Sequence, residues 1–256
     1  MDVKILILTH KPCWLPSDSI YYPLHVGRKN EAGFGLPRDN TGNNISSKNE
    51  LWSELTGVYW GWKNLDCDYF GVVHYRRFFA STTKHDAPEM RILNRSGAEQ
   101  LLSISDIILP ARRNYIVMTL SEHFNNYDFS RITDLTILKE TIKAISPEYL
   151  SAYDVVMSRR WGHMCNMFLM RKELSDSFCT WAFSVLEEFE HKIDNSRRRI
   201  IGYVAEHLLD IWIEKNHYKY TEINTIALDK KNEFYRRVDF LFRILKFKKR
   251  YIRLDS

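Results

Sequence analysis

Two short apolar runs near the start of the chain, each ending in a cluster of cations, constrain its fold more than any other feature. The first is VKILILT, Val3 to Thr9, which runs into His10 and Lys11. The second is YFGVVHY, Tyr69 to Tyr75, with His74 in it and Arg76 and Arg77 just beyond. Both are continuous and rich in Val and Ile, the pattern of strands buried on both faces of a parallel sheet. Open α/β sheets bind ligands beyond the carboxyl ends of their strands. His10, Lys11, His74, Arg76 and Arg77 are therefore expected on one crevice suited to an anion, with a nucleotide diphosphate the natural ligand.

Between the runs lies the Gly- and Asn-rich segment Lys29 to Ser46, a loop by composition and long enough to suggest function. Ser47 to Glu50 has the S-x-x-E form of a capping box, and Leu51, Leu55, Val58 and Trp62 follow at helical spacing. Further on, Asp106–Pro110, Asn114–Leu120, Asp154–Met157, Asn166–Arg171 and Tyr218–Ile223 read as strands. Ile132–Ile145, Glu173–Ile193 and Ile200–Glu214 read as helices, and the polar stretch Ser81–Gln100 as variable surface. Strands alternating with helices argue for an α/β fold.

Other classes are disfavoured. No G-x-G-x-x-G, G-x-x-x-x-G-K-[ST] or G-x-S-x-G motif occurs, so dinucleotide, P-loop and α/β-hydrolase sites are not expected. Cys13, Cys67, Cys165 and Cys179 are scattered with no C-x-x-C pair, which fits reduced thiols in a cytoplasm rather than a zinc site. No run of apolar residues is long enough to span a bilayer, and the first residues lack the charged and apolar regions of a secretory leader. Asp66 and Asp68 form D-C-D, but they precede the second strand, at its wrong end for the crevice. They read as the turn that starts the strand rather than as a metal site.

The net charge of +5 is unevenly placed. Phe234 to Leu254 interleaves Arg236, Arg237, Arg243, Lys246, Lys248, Lys249, Arg250 and Arg253 with apolar residues at helical spacing. Residues 226–256 are thus expected to form a basic amphipathic C-terminal helix. It could lie on an anionic membrane surface or dock on the main domain, residues 1–225. No nucleic-acid recognition motif accompanies it, so no nucleic-acid partner is expected.

On the helix Ile200–Glu214, Ile200, Val204, Leu208 and Ile211 form a core stripe, while Glu206 lies among Gly202, Leu209 and Ile213. It is either an ordinary surface glutamate or a cleft-wall carboxylate with a raised pKa, able to act as a general base. His207, Asp210 and Glu214 form a separate stripe expected to be solvated. His163 and Asn166 precede a strand and could face the same cleft as Glu206, as acceptor-binding groups.

Several segments together resemble a bacterial family from capsular polysaccharide and O-antigen loci, long labelled a domain of unknown function. They are THKP (Thr9–Pro12), PLHVG (Pro23–Gly27), the Asp39–Asn64 stretch and YFGVVHYRRFF (Tyr69–Phe79). NMFLMRKE (Asn166–Glu173) and RIIGYVAEHLLDIWI (Arg199–Ile213) resemble it too. The resemblance implies an α/β, GT-A-like glycosyltransferase with a mixed, mostly parallel sheet flanked by helices. It implies inverting transfer of galactofuranose from UDP-galactofuranose to a lipid-linked or oligosaccharide acceptor. Thr9, His10 and Lys11 would border the uridine. Val26, Gly27, the Asn40–Asn44 loop with Asn43 and Asn44, and Asn49 would close over the nucleotide. Glu206 would deprotonate the acceptor, and His74, Arg76 and Arg77 would stand where related enzymes carry Asp-x-Asp. That departure favours metal independence over Mn2+ or Mg2+. Another UDP-hexose donor, or a non-catalytic nucleotide- or glycan-binding scaffold, remains the alternative. The expected location is cytoplasmic, peripheral on the inner membrane face if the basic tail binds there.

Overall fold

The computed structural model describes residues 1–27, 34–81, 87–127, 130–194 and 197–228. The expected C-terminal amphipathic helix lies outside the described residues. In chain order the elements begin with β1 (Val3–Thr9), β2 (Tyr21–His25), α1 (Asn49–Trp52), α2 (Leu55–Asn64), β3 (Tyr69–His74) and β4 (Arg77–Phe79). Then come α3 (Arg95–Leu102), β5 (Ile107–Pro110), β6 (Arg113–Asn114), α4 (Leu120–Asn125), α5 (Ile132–Ile145), α6 (Leu150–Ser158) and β7 (Trp161–Gly162). The last are β8 (Phe168–Arg171), α7 (Lys172–Lys192), α8 (Ile200–Ala205), α9 (Leu208–Asn216), β9 (Thr221–Ile223) and β10 (Thr225–Ala227).

The fold is α/β, with a mixed, mostly parallel sheet flanked by helices. The main sheet runs β2–β1–β3–β8–β5–β9, and the antiparallel ribbon β4–β10 hangs from the end of β3. β1, β2, β3, β5 and β9 point the same way; β8 opposes them, antiparallel to both β3 and β5. β6 and β7 form a separate antiparallel ribbon. The carboxyl ends of β1, β2, β3 and β5 therefore share one edge with the amino end of β8.

Burial on both faces explains the continuous apolar runs. Leu6 and Leu8 of β1 join one core beneath the helices, while Val3, Ile5 and Ile7 join a second core on the other face. Helix α2 lies close on β1 through Gly57 and Gly61. A Cβ at Gly57 would come within 2.5 Å of Leu8 Cδ2, and one at Gly61 within 2.2 Å of Leu6 Cδ1.

Several local expectations are corrected. The capping box at Ser47–Glu50 does not form: a 3-10 turn, Ser46–Lys48, leads directly into α1 with no side-chain cap. The single expected helix is broken at Ser53, whose φ of 54° and ψ of −132° end α1 before α2 begins. Asp154–Met157 lies within α6 rather than in a strand. Val156 and Met157 are buried while Val155 is exposed, and so short an apolar run carries no period that separates helix from strand. Of Asn114–Leu120 only Asn114 is extended, because Ile116 turns the chain at a φ of 60°. Ser81–Gln100 is not all variable surface: α3 begins there, capped by Asn94, which accepts from the Gly97 N–H at 2.9 Å. Finally, Ile200–Glu214 is two helices, α8 and α9, with Glu206 and His207 at the break.

Candidate active site

The shared sheet edge carries the expected cations. Thr9 ends β1, with its buried hydroxyl bonded to the Lys11 carbonyl at 2.6 Å, which turns the chain outward and leaves His10 and Lys11 exposed. Leu8 pairs with His74, so the end of β3 lies beside them. The Tyr75 ring is their common contact. His10 meets it edge-on at 5.3 Å, and Lys11 Nζ and Arg76 lie over it at 5.4 and 5.1 Å. The Arg76 Nε is buried with no acceptor among the described residues, which leaves a donor open in the cluster.

His74 is not one of the cations. Burial, then the charges of Arg76, Arg77, His10 and Arg199, push its pKa down to about 3, so the imidazole is neutral near pH 7. The Arg76 backbone N–H donates to His74 Nδ1 at 3.3 Å, which assigns the ring proton to Nε2. Arg199, at the start of α8, was not singled out in the sequence and joins the cluster.

Glu206 lies across from this cluster. It is half-buried at the break between α8 and α9, so it is not an ordinary surface glutamate. Burial, followed by the negative charge of Glu54, raises its pKa to about 7, against the opposing pull of Arg113, Arg77 and the donating Cys165 N–H. Arg77 also donates to the Cys165 sulfur, whose thiol pKa is itself raised by burial. The Asn166 amide donates to Glu54 Oε1 at 3.0 Å and to the Gly202 carbonyl at 3.1 Å, tying Glu54 to α8. Cys165, Asn166 and Ser53 all take positive φ values of 83°, 51° and 54°. Non-glycine residues in that region carry backbone strain, which collects where geometry serves a function.

Other predicted residues fall elsewhere. His163 does not face the Glu206 cleft. It is buried, its Nδ1 is 2.5 Å from Asp210 Oδ1, and its Nε2 is 3.1 Å from Glu222 Oε1. Burial disfavours its charge, but those two carboxylates outweigh it and hold its pKa above the ordinary value. The expected solvated stripe is also corrected. His207 and Asp210 are buried, because the helix break turns them inward; burial lowers the His207 pKa to about 4.

Val26 and Gly27 serve as a clasp rather than an open lining. The Val26 N–H donates to the Thr9 carbonyl at 2.8 Å, and the Val26 side chain packs on Gly57. Gly27, at a φ of +77°, lies against Asn49, whose amide donates to Thr56 Oγ1 at 2.9 Å. Thr56 in turn donates to the buried Asp39 at 2.6 Å. Asn40 follows Asp39 and is exposed near this end of α2. Asn43 and Asn44 are not brought to the site. Asn43 is pinned to Asn64 at the other end of α2, about 12 Å along the helix from Thr56.

Glu54 and Arg113 were missed in the sequence, although both had signals. Arg113 follows β5 as Arg76 and Arg77 follow β3, and Glu54 lies within the Asp39–Asn64 segment that carries the resemblance. The carboxylates near the cation cluster are Glu54 and Glu206. Glu54 and Glu206 face two guanidinium groups, and no cluster of three His, Cys, Asp or Glu occurs among the described residues. Asp68 is at the amino end of β3, where it accepts from the Asp2 N–H. Among the described residues no helix is long and apolar enough to cross a membrane.

Comparison with known proteins bears on the fold and the family. No curated protein matches the chain. A solved structure described as the apo form of WbbM, a bifunctional glycosyltransferase, superposes with a TM-score of 0.83 at 30% identity, covering 90% of this chain. The chain spans 46% of that protein's length. Residues 4–217 match the profile of a domain of unknown function, DUF4422, and since that is most of the chain, the protein belongs to the DUF4422 family.

Proposed function

We propose that the protein is an inverting glycosyltransferase that uses a nucleoside-diphosphate sugar. The observation that carries this reading is Glu206, a half-buried carboxylate poised near neutral pH within the field of Arg77 and Arg113, with Arg77 in the cation cluster at the carboxyl edge of the parallel strands. The likeness to WbbM, described as a glycosyltransferase, supports it.

In this mechanism the acceptor hydroxyl oxygen attacks the anomeric carbon of the donor sugar. The bond from that carbon to the β-phosphate oxygen breaks, the hydroxyl proton passes to Glu206, and the nucleoside diphosphate leaves. A single displacement inverts the anomeric centre. Lys11, Arg76, Arg77 and Arg199 stabilise the charge that develops on the leaving group, as cations already placed beside it do. Neutral His74 adds a hydrogen-bond donor at Nε2. These cations are proposed to neutralise the diphosphate in place of a metal, so that the reaction runs without one. By family resemblance the donor is UDP-galactofuranose and the acceptor a lipid-linked or oligosaccharide precursor of a surface polysaccharide. The site is proposed to work in the cytoplasm, on the inner membrane face if the basic tail binds there.

The test is calorimetric titration with UDP in the presence of a chelator, followed by an assay of UDP release from UDP-sugars. Chelator-resistant binding and donor-dependent release support the reading. Absence of UDP binding with and without manganese overturns it.

A further inference from the structure

A pocket of about 300 Å³ lies between β7 and the carboxyl half of α9. Arg112, Arg159, Trp161, Asp210, Glu214, Tyr218 and Tyr220 are among its lining. Trp161 of β7 and Arg112, which precedes β6, bring the β6–β7 ribbon to the pocket wall. Arg112 and Arg113 are consecutive, and successive side chains on an extended chain point to opposite faces. Arg113 senses Glu206 and Cys165, whereas Arg112 senses Glu222, Tyr220 and Asp210. The two arginines thus have different charged neighbours.

Charges in the pocket wall are paired. Arg112 Nε donates to Glu222 Oε1 at 2.7 Å, Arg159 pairs with Glu214, and His163 pairs with Asp210. An anion or a cation entering here would have to displace one of these partners. A neutral polyol would not. Its hydroxyls can use the spare carboxylate lone pairs and guanidinium N–H groups, which are already oriented. The wall also offers aromatic surface. Arg112 and Arg159 lie over the Trp161 indole at 4.3 and 4.6 Å and fix it, and Tyr218 and Tyr220 are half-buried beside it. Aromatic residues with one polar end suit a ring that has both C–H faces and hydroxyl edges. The volume is at the lower end for small-ligand sites, which suits one sugar ring.

We propose that this pocket binds a neutral sugar unit, and that it holds a non-reacting part of the acceptor glycan while the reacting hydroxyl lies at Glu206. The second clause rests on the transferase reading; the binding itself does not. Binding remote parts of a substrate at a separate subsite helps orient the reacting group.

The test uses the full chain and follows the indole N–H resonance of Trp161 by NMR, assigned with Trp161→Phe, during titration with neutral methyl glycosides of galactose, glucose, mannose and N-acetylglucosamine. At least one glycoside is expected to shift the resonance saturably. The shift should persist in Glu206→Gln and with UDP at saturation. Tyr220→Ala should weaken binding about tenfold, while Tyr220→Phe, which keeps the ring, should retain most of it. Absence of any saturable shift, a shift abolished by UDP or by Glu206→Gln, or a response to acetate or sulfate in place of the glycosides would overturn the proposal. Failure of the transferase reading would appear separately, as a Glu206→Gln variant with undiminished turnover.

Discussion

Glu54 and Glu206 are two carboxylates on one cleft, and the charge of Glu54 helps lift the Glu206 pKa to about 7. Glu206 accepts a proton only when ionised, so turnover should rise with pH through about 7. Glu54→Gln removes the nearby negative charge and should move that limb to lower pH. A pH–rate profile of the two proteins checks this; an unmoved limb would remove Glu54 from the tuning of the base.

Glu206→Gln should lower turnover by at least about 100-fold and leave UDP affinity unchanged. The same variant should be more stable than the parent at high pH. The folded pKa lies above the ordinary 4.5, so the native state resists ionisation, and stability falls as pH rises from about 4.5 to 7. Glutamine escapes that penalty, which is at most about 3 kcal/mol. Urea denaturation at both ends of this range reads the difference, which should vanish in acid.

Arg77 joins the cation cluster to the Cys165 turn. Arg77→Met should weaken UDP binding by about 10- to 100-fold, the worth of a charge-assisted hydrogen bond. His74, by contrast, is already neutral, since its pKa is about 3. Its ring resonances should show no titration between about pH 5 and 8, and a clear inflection there would refute the assignment.

Asp210 accepts from both the ring and the backbone N–H of His163, at 2.5 and 2.9 Å. Asp210→Ala should cost about 3 kcal/mol or more by stranding a buried imidazole. The His163 pKa is raised in the fold, so the stability it contributes is present in full below its unfolded value and declines as pH rises through the folded one. The gap between parent and variant should therefore narrow at alkaline pH in thermal denaturation.

Gly61→Ala should destabilise by about 1–3 kcal/mol, because the new methyl group would meet Leu6 and Phe70, both in the core. Denaturant midpoints check it; a neutral result would mean that α2 can lift from β1 at little cost.

The sequence by itself determined the class of the fold and one wall of the site. Val3–Thr9 and Tyr69–His74 are apolar on both sides of the strand, Lys4 and the polar ends apart, because both faces are covered, and that pattern needs no partner to be read. Their polar ends then had to emerge at a sheet edge, which located Lys11, Arg76 and Arg77. Glu206 was legible as a carboxylate among small and apolar neighbours. Periodicity reports burial, but it carries neither the direction of a strand nor its neighbours. The reversal of β8 between β3 and β5, which delivers Cys165 and Asn166 to the edge where β1 and β3 end, was decided only by tertiary pairing. The breaks at Ser53 and Glu206 were invisible for a similar reason. Each interrupts a stretch with good helical spacing, and each is held by contacts distant in sequence: Asn166 bridges Glu54 and Gly202 across both. Glu54 joins the candidate site through the Asn166 contact, and the position of Arg113 beyond β5 gains meaning only once β8 sets β5 in the same sheet as β3.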